Sequence, residues 1–282
     1  MCISMSIVNI SPINVQGKCD NKCVYEYDYP DTNLIATNIG TLIMLKVDNA
    51  PAPVIYNNEK YTVGEIFIST PSVHLFNNSP SNAEILIHHD CESGGPKLIV
   101  CMPIKASSNS SSGTVLLTDI INMVASNAPR SGETTEINIS DFTLNNIVAK
   151  KPFYSYSGND MRGAKSNFIV YGVIDAIPLN TVALSSLSNI ITANSIKAEG
   201  SGVYYNSSGP GKKNDDGIYI SCKPTGSSSD ETTVTTSSNN NSSDSLWNNP
   251  SGKTGIIIAI SLVMFFILFS MLNYIYIYAT ST

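Results

Sequence analysis

Residues 61–90 read YTVGEIFISTPSVHLFNNSPSNAEILIHHD and hold all three histidines of the chain, His74, His88 and His89. Such a cluster invites a metal-site reading. In AEILIHHD (Ala83–Asp90) the apolar run reads as a strand. Alternation along it sends Glu84, Leu86 and His88 to one face and Ile85, Ile87 and His89 to the other. His88 and His89 therefore cannot grip one ion together. His74 lies ten residues before Glu84, near enough along the chain to meet its carboxylate across a turn.

Outward from this stretch, short runs rich in Val, Ile, Leu and aromatics recur between Asn, Gly, Pro and Ser turns. They are Thr41–Val47, Tyr61–Ser69, Ala83–His89, Leu98–Ile104 and Phe168–Ile174. Helical spacing is clear only in GTVLLTDIINMVASN, where Leu116, Leu117, Ile120, Ile121 and Val124 recur at three and four. A chain of 282 residues, 42% apolar and 13% charged, can bury a full-sized core. The expectation is a mainly β domain over residues 1–223 with one or two short helices.

The C-terminal quarter changes character. Residues 224–253 are dominated by Ser, Thr and Asn and are too polar to bury a core, so they read as a disordered stalk with a reach of roughly 30 Å. From Gly255 to Tyr278 the run GIIIAISLVMFFILFSMLNYIYIY carries no charge. As a helix it would extend about 36 Å, enough to cross a bilayer, and residues 254–278 read as a transmembrane helix followed by a short tail, 279–282. Tyr274, Tyr276 and Tyr278 at one end and Trp247 upstream of the other suit headgroup positions. No signal peptide is visible at the start, and every Lys and Arg precedes the span, so the expectation is a single-pass, tail-anchored protein with its domain on the cytosolic side. On that placement the sequons at Asn77, Asn109, Asn138 and Asn206 are unused. The six cysteines are weak evidence for a disulfide set, and Cys19-x3-Cys23 reads as free thiols or one local bridge.

The order and spacing of several segments resemble the α-carbonic anhydrases. YTVGEIFIS is similar to the family's His-x-His strand, and VHLFNNSPSNAEIL to its Glu-His-x9-Glu-x-His segment. SPINV (Ser11–Val15) and NIGTLIMLKVDN (Asn38–Asn49) resemble its N-terminal motif and its Asn-x-Gly strand, and LIVCMPIKAS with the helix after it looks like the family's next strand and helix. AKKPFYSYSGN and NFIVYGVIDAIPL resemble a late loop and a central strand, so the likeness covers about Ser11–Pro224. It implies a large twisted mixed sheet with few short helices.

Laid on this chain residue by residue, the resemblance puts the family's zinc ligands at Phe67, Ser69 and Leu86, none of which replaces an imidazole. Its hydroxide-orienting loop falls on MRGA (Met161–Ala164). It also implies that His74 and Glu84 form a buried structural brace, and that His88, Met161 and Arg162 are candidate lining of the funnel. His88 with Ser69 and Glu65 offers too few good donors for a relocated metal site. No metal or cofactor and no catalysis is expected. The layout resembles the carbonic-anhydrase-like envelope proteins of poxviruses and other large DNA viruses, which implies a virion membrane protein attaching to a host-cell surface molecule, such as a glycan. The alternatives are a structural envelope protein joined to virion proteins and, less favoured, a membrane-anchored metal-dependent carbonic anhydrase or esterase. A formal charge of −6 argues against nucleic acid and against sulfated glycans. Lys150-Lys151 and Lys212-Lys213 read as solvated turns, and SSGPGKKNDDG lacks the order of a phosphate loop.

Overall fold

In the computed structural model, which describes residues 6–47, 52–140, 142–193 and 202–211, the histidine stretch forms the middle of a wide sheet. Along the chain the strands are β1 (Asn9–Ile10), β2 (Val15–Lys18), β3 (Tyr25–Tyr27), β4 (Leu34–Asn38), β5 (Ile43–Val47), β6 (Val54–Tyr56), β7 (Glu59–Ser69) and β8 (Leu75–Phe76). They continue as β9 (Ser79–Pro80), β10 (Ala83–Cys91), β11 (Lys97–Ala106), β12 (Thr134–Ile137), β13 (Phe153–Asn159), β14 (Lys165–Tyr171), β15 (Ile177–Leu179) and β16 (Val203–Asn206). Two α-helices, α1 (Ser112–Asn127) and α2 (Thr181–Ile190), and three 3-10 turns, Pro12–Asn14, Leu144–Asn146 and Val173–Asp175, complete the described elements. The proposed stalk, membrane helix and tail lie outside the described residues, and among the described residues no helix is long and apolar enough to cross a membrane.

The main sheet runs in the order β12-β4-β5-β7-β10-β11-β14-β13-β16-β2, with β3, β6 and β15 pairing off this path. It is mixed: β11 pairs parallel with β14 and β16 with β2, while the other neighbours on the path are antiparallel. Residues 83–89 of β10 are all buried, as befits a central strand covered on both faces. One face carries Ile66, Ile68, Ile85, Ile87, Val100 and Met102 and packs under Leu117, Ile120, Ile121 and Val124 of α1. The other carries Phe67, Leu86, Ile99, Cys101, Phe168 and Val170.

Local chemistry explains the boundaries. Ser111 caps α1 by accepting from the Thr114 backbone N–H, and Thr114 reciprocates toward the Ser111 backbone. β6 and β7 are joined by Asn57-Asn58, and β8 and β9 by Asn77-Asn78. All four asparagines have positive φ (51°, 67°, 50° and 65°), the backbone of a two-residue type I′ hairpin turn. The Asn-x-Gly of the sequence has a visible task. Buried Asn38 donates from Nδ2 to the carbonyls of Ala128 (3.3 Å), Pro129 (3.1 Å) and Ile190 (2.9 Å), and its Oδ1 accepts from the Gly40 N–H at 2.8 Å. It thereby ties β4 to the ends of both helices. Asn38→Ala is expected to cost about 2–3 kcal/mol of unfolding free energy, because it orphans buried carbonyls and one N–H; chemical denaturation would show it, and a loss below about 0.5 kcal/mol would rule the tie out.

A disulfide joins Cys19 to Cys23, one of the two outcomes left open by their spacing, while Cys91 and Cys101 are free thiols. Strand bounds depart from the sequence reading mainly at the ends. β14 stops at Tyr171 and a 3-10 turn, Val173–Asp175, follows it, so the expected strand to Ile174 is cut short.

Candidate functional site

The register of β7 against β10 pairs Phe67 with Leu86 and Ser69 with Glu84. Cross-strand partners share a face, so the three positions that the resemblance assigns to zinc ligands do converge on one patch of sheet. Their side chains do not suit a cation. Phe67 (4% exposed) and Leu86 (0%) belong to the apolar cluster, and the buried Ser69 hydroxyl donates to the Glu84 carbonyl at 3.4 Å. Zinc wants three imidazole, thiolate or carboxylate donors at about 2.0–2.3 Å. The donor set at this patch does not fit the metal.

Beside the patch lies the one cluster of three metal-capable side chains among the described residues, His74, Glu84 and Cys101, with candidate ligand atoms within 4.8 Å of one another. Its hydrogen bonds are already committed. His74 Nδ1 donates to Glu84 Oε1 at 2.7 Å, and Glu84 Oε2 accepts from the backbone N–H groups of Val73 (2.7 Å) and His74 (2.9 Å). His74 Nε2 faces the Tyr156 hydroxyl at 2.7 Å, which also reaches the Ser6 carbonyl at 3.1 Å. Burial, helped by the nearby Glu84, pushes the Cys101 thiol well above its ordinary range, so no thiolate is offered. All three side chains are fully buried. The arrangement pins the 72–75 turn to β10 and stacks Tyr156 flat on Phe168, with ring centroids 4.5 Å apart.

His88 sits on the same face, its ring edge-on to Phe67 at 5.0 Å. A register slip between Ile87 and His89 leaves two residues, Gly64 and Glu65, against it, and a Cβ added at Gly64 would stand 2.8 Å from an Asp90 carboxylate oxygen. His88 is 6% exposed, and its Nε2 has no hydrogen-bond partner among the described residues. Burial holds its pKa down at about 4, opposed by Asp160 and assisted by His89, Lys97 and Arg162. A neutral imidazole is the result. His89 is on the opposite face. There Tyr29 meets its Nε2 at 2.9 Å, Nδ1 reaches the Leu98 carbonyl at 3.1 Å, and burial likewise lowers the pKa to about 4.

At the mouth of this face, Met161 packs against the apolar cluster, and exposed Arg162 pairs through Nη2 with Glu65 Oε2. The turn is held by buried Asp160, whose Oδ1 accepts from the N–H groups of Arg162 (2.9 Å) and Ala164 (2.8 Å). Glu65 is thus committed to Arg162 and Ser69 to a backbone carbonyl, so neither joins His88 in a ligand set. The Glu65–Arg162 pair joins residues far apart in sequence, and only the folded sheet reveals it.

No family model matches the chain, and no curated protein matches it in sequence. Solved structures do match in shape. Dioscorin complexed with ascorbate superposes with a TM-score of 0.60 at 14% identity, over 72% of this chain and 85% of that one. The α-carbonic anhydrase of Photobacterium profundum gives 0.59 at 12% identity, over 72% and 88%. That of Thermovibrio ammonificans, in complex with sulfanilamide, gives 0.57 at 12% identity, over 71% and 85%. At such identities the likeness speaks for the fold alone, and the fold of this chain is carbonic-anhydrase-like.

Proposed function

We propose that this chain is a catalytically inactive, carbonic-anhydrase-like membrane protein that serves attachment of a virion to a host-cell surface molecule. The observation that carries the first half is the side-chain content of the converging patch: Phe67, Ser69 and Leu86, the positions that the resemblance assigns to zinc ligands, offer no imidazole, thiolate or carboxylate. Burying Phe67 and Leu86 contributes about 1.5–3 kcal/mol each to folding, so the patch works as core rather than as a reaction site. The Arg162–Glu65 pair across the mouth supports the same reading. For the second half, the support is the layout of a folded domain, a polar stalk and an apolar C-terminal run, the last two read from sequence alone. A Cys19–Cys23 bridge also suits a domain displayed at an oxidising particle surface.

Full-length protein purified in the presence of zinc is expected to carry substoichiometric metal by elemental analysis and to leave CO2 hydration at its uncatalysed rate. Stoichiometric zinc with turnover would overturn the inactive reading. Presented in lipid nanodiscs, the same protein is expected to bind cells saturably. Absence of cell binding, with crosslinks in particles to internal virion proteins, would instead favour a link between envelope and capsid.

A further inference from the structure

A groove of about 590 Å³ lies away from the Phe67 patch, between α2 and the segments that bracket β8 and β9. One side is a single helix face, Thr181, Leu184, Ser185, Ser188 and Asn189, whose spacing of three and four lines them up along α2. Facing it are Thr70, Pro71, Pro80, Ser81 and Asn82, with Ala106 at the end of β11. None of the lining residues is charged, and none is aromatic.

The strand side of the groove is fixed in place. Thr70 Oγ1 donates to the Asn82 carbonyl at 3.0 Å, Ser81 Oγ donates to the Ile104 carbonyl, and Asn82 Oδ1 accepts from the Ala106 N–H at 2.8 Å. With its oxygen so held, the Asn82 amide orientation is set, and its Nδ2 is left without a partner among the described residues. The hydroxyls of Thr181 and Ser185 and the amide of Asn189 likewise make no hydrogen bond there, whereas Ser188 Oγ is used by the Leu184 carbonyl at 3.0 Å. The groove thus offers uncommitted neutral donors and acceptors from Asn82, Thr181, Ser185 and Asn189, beside the apolar surfaces of Pro71, Pro80 and Leu184.

That chemistry selects a ligand class. An anionic ligand finds no cation in the lining, and a nucleobase finds no ring to stack on. An extended peptide joins proteins by adding to a free strand edge, but here side chains of a helix and turns present the hydrogen bonds. What remains is an uncharged molecule bearing hydroxyls on one side and apolar C–H surface on the other, of a size admitted by a small-molecule site of about 300–1,000 Å³. We propose that this groove binds a neutral saccharide. The proposal deepens the attachment reading and rests on it for biological purpose, but it places the ligand outside the carbonic-anhydrase funnel.

The probes are methyl glycosides of glucose, galactose, mannose and N-acetylglucosamine, their linear disaccharides, and sulfated and sialylated counterparts, titrated into the full chain by calorimetry and saturation-transfer NMR. The expected result is binding of at least one neutral glycoside in the millimolar range or tighter, weakened at least about tenfold by Ser185→Trp, which fills the groove from an exposed helix position. In the wild-type protein the side-chain amide resonances of Asn82 and Asn189 shift on titration, a readout that does not depend on the variant folding. The proposal is overturned if no neutral glycoside binds, if Ser185→Trp binds undiminished with its circular dichroism unchanged, or if the sulfated or sialylated probes win. Cell binding that persists in Ser185→Trp, with neutral glycosides failing, would remove the groove and leave the attachment reading intact. Loss of all cell binding by the wild-type chain would remove the attachment reading itself.

Discussion

Glu84→Ala is expected to lower the unfolding free energy by about 3–5 kcal/mol, since three buried donors lose their acceptor at about 1–3 kcal/mol each before the site relaxes. The reason is concentration of function in one side chain. The Glu84 carboxylate, fully buried, receives His74 Nδ1 on one oxygen and the N–H groups of Val73 and His74 on the other. Truncation strands three donors in a site closed to water, and it opens a void beside Cys101. Glu84→Gln keeps volume and one acceptor, so it should fall between, at about 1–3 kcal/mol. Because His74 Nε2 continues to Tyr156, loss of the carboxylate should also loosen the Tyr156–Phe168 stack, visible as a change in near-ultraviolet circular dichroism. Guanidinium denaturation of the variants would decide the matter: a cost under about 1 kcal/mol for Glu84→Ala would mean that the turn is held by something else.

A second large effect is acid lability. His88 and His89 are buried and neutral, each with a folded-state pKa of about 4 against an ordinary 6.5. In the open chain each picks up a proton as pH falls below 6.5, while the folded protein refuses it. Stability is therefore fully present above pH 6.5, declines through the interval, and levels off below about pH 4. Each imidazole accounts for about 3 kcal/mol over that window, and the pair for about 6, a large part of the about 5–15 kcal/mol that keeps a domain folded. Melting temperature measured from pH 7.5 to 4 should fall steeply between pH 6.5 and 4. His88→Leu should flatten the fall by roughly half without cost at neutral pH, since Nε2 has no partner to lose. A flat profile across the window would refute the assignment. His89→Leu is a different experiment, for it also breaks the bonds to Tyr29 and Leu98 and should destabilise at neutral pH.

The sheet's centre was legible because both faces are buried along β10 from Ala83 to His89, β11 from Leu98 to Ile104 and β7 from Ile66 to Ser69, so continuous apolar runs survive any uncertainty about which residue faces where. α1 was legible for a similar reason, its five apolar residues falling on one stripe. α2 was not foreseen: serines at 185, 186 and 188 interrupt the pattern, and its only fully enclosed side chains are Ala183 and Leu187, one turn apart. The resemblance put AKKPFYSYSGN in a late loop, whereas its FYSYSGN part forms the strand β13. In the fold Ser155 is buried and meets the Tyr56 hydroxyl at 3.1 Å, a contact no local pattern announces. The paired asparagines at 57–58 and 77–78 carried an available hairpin signal that the sequence reading did not use. At the candidate site, His74 and Glu84 were set together by resemblance, but Tyr156, Cys101, Asp160 and the Glu65–Arg162 pair join from distant segments. The groove beside α2 depends on a helix that the sequence concealed.

The alternation of side chains along β7, β10 and β11 has a further consequence for how the protein can change. A substitution at Phe67, Leu86 or Cys101 alters volume on the face opposite Ile66, Ile87 and Val100 and the helix packed on them, so its direct contacts change in one layer only. Both sides of the sheet therefore carry stability, the upper one through Glu84, His88 and the Phe67–Leu86 cluster and the lower one through the layer beneath α1, so a change on either is felt in the melting point.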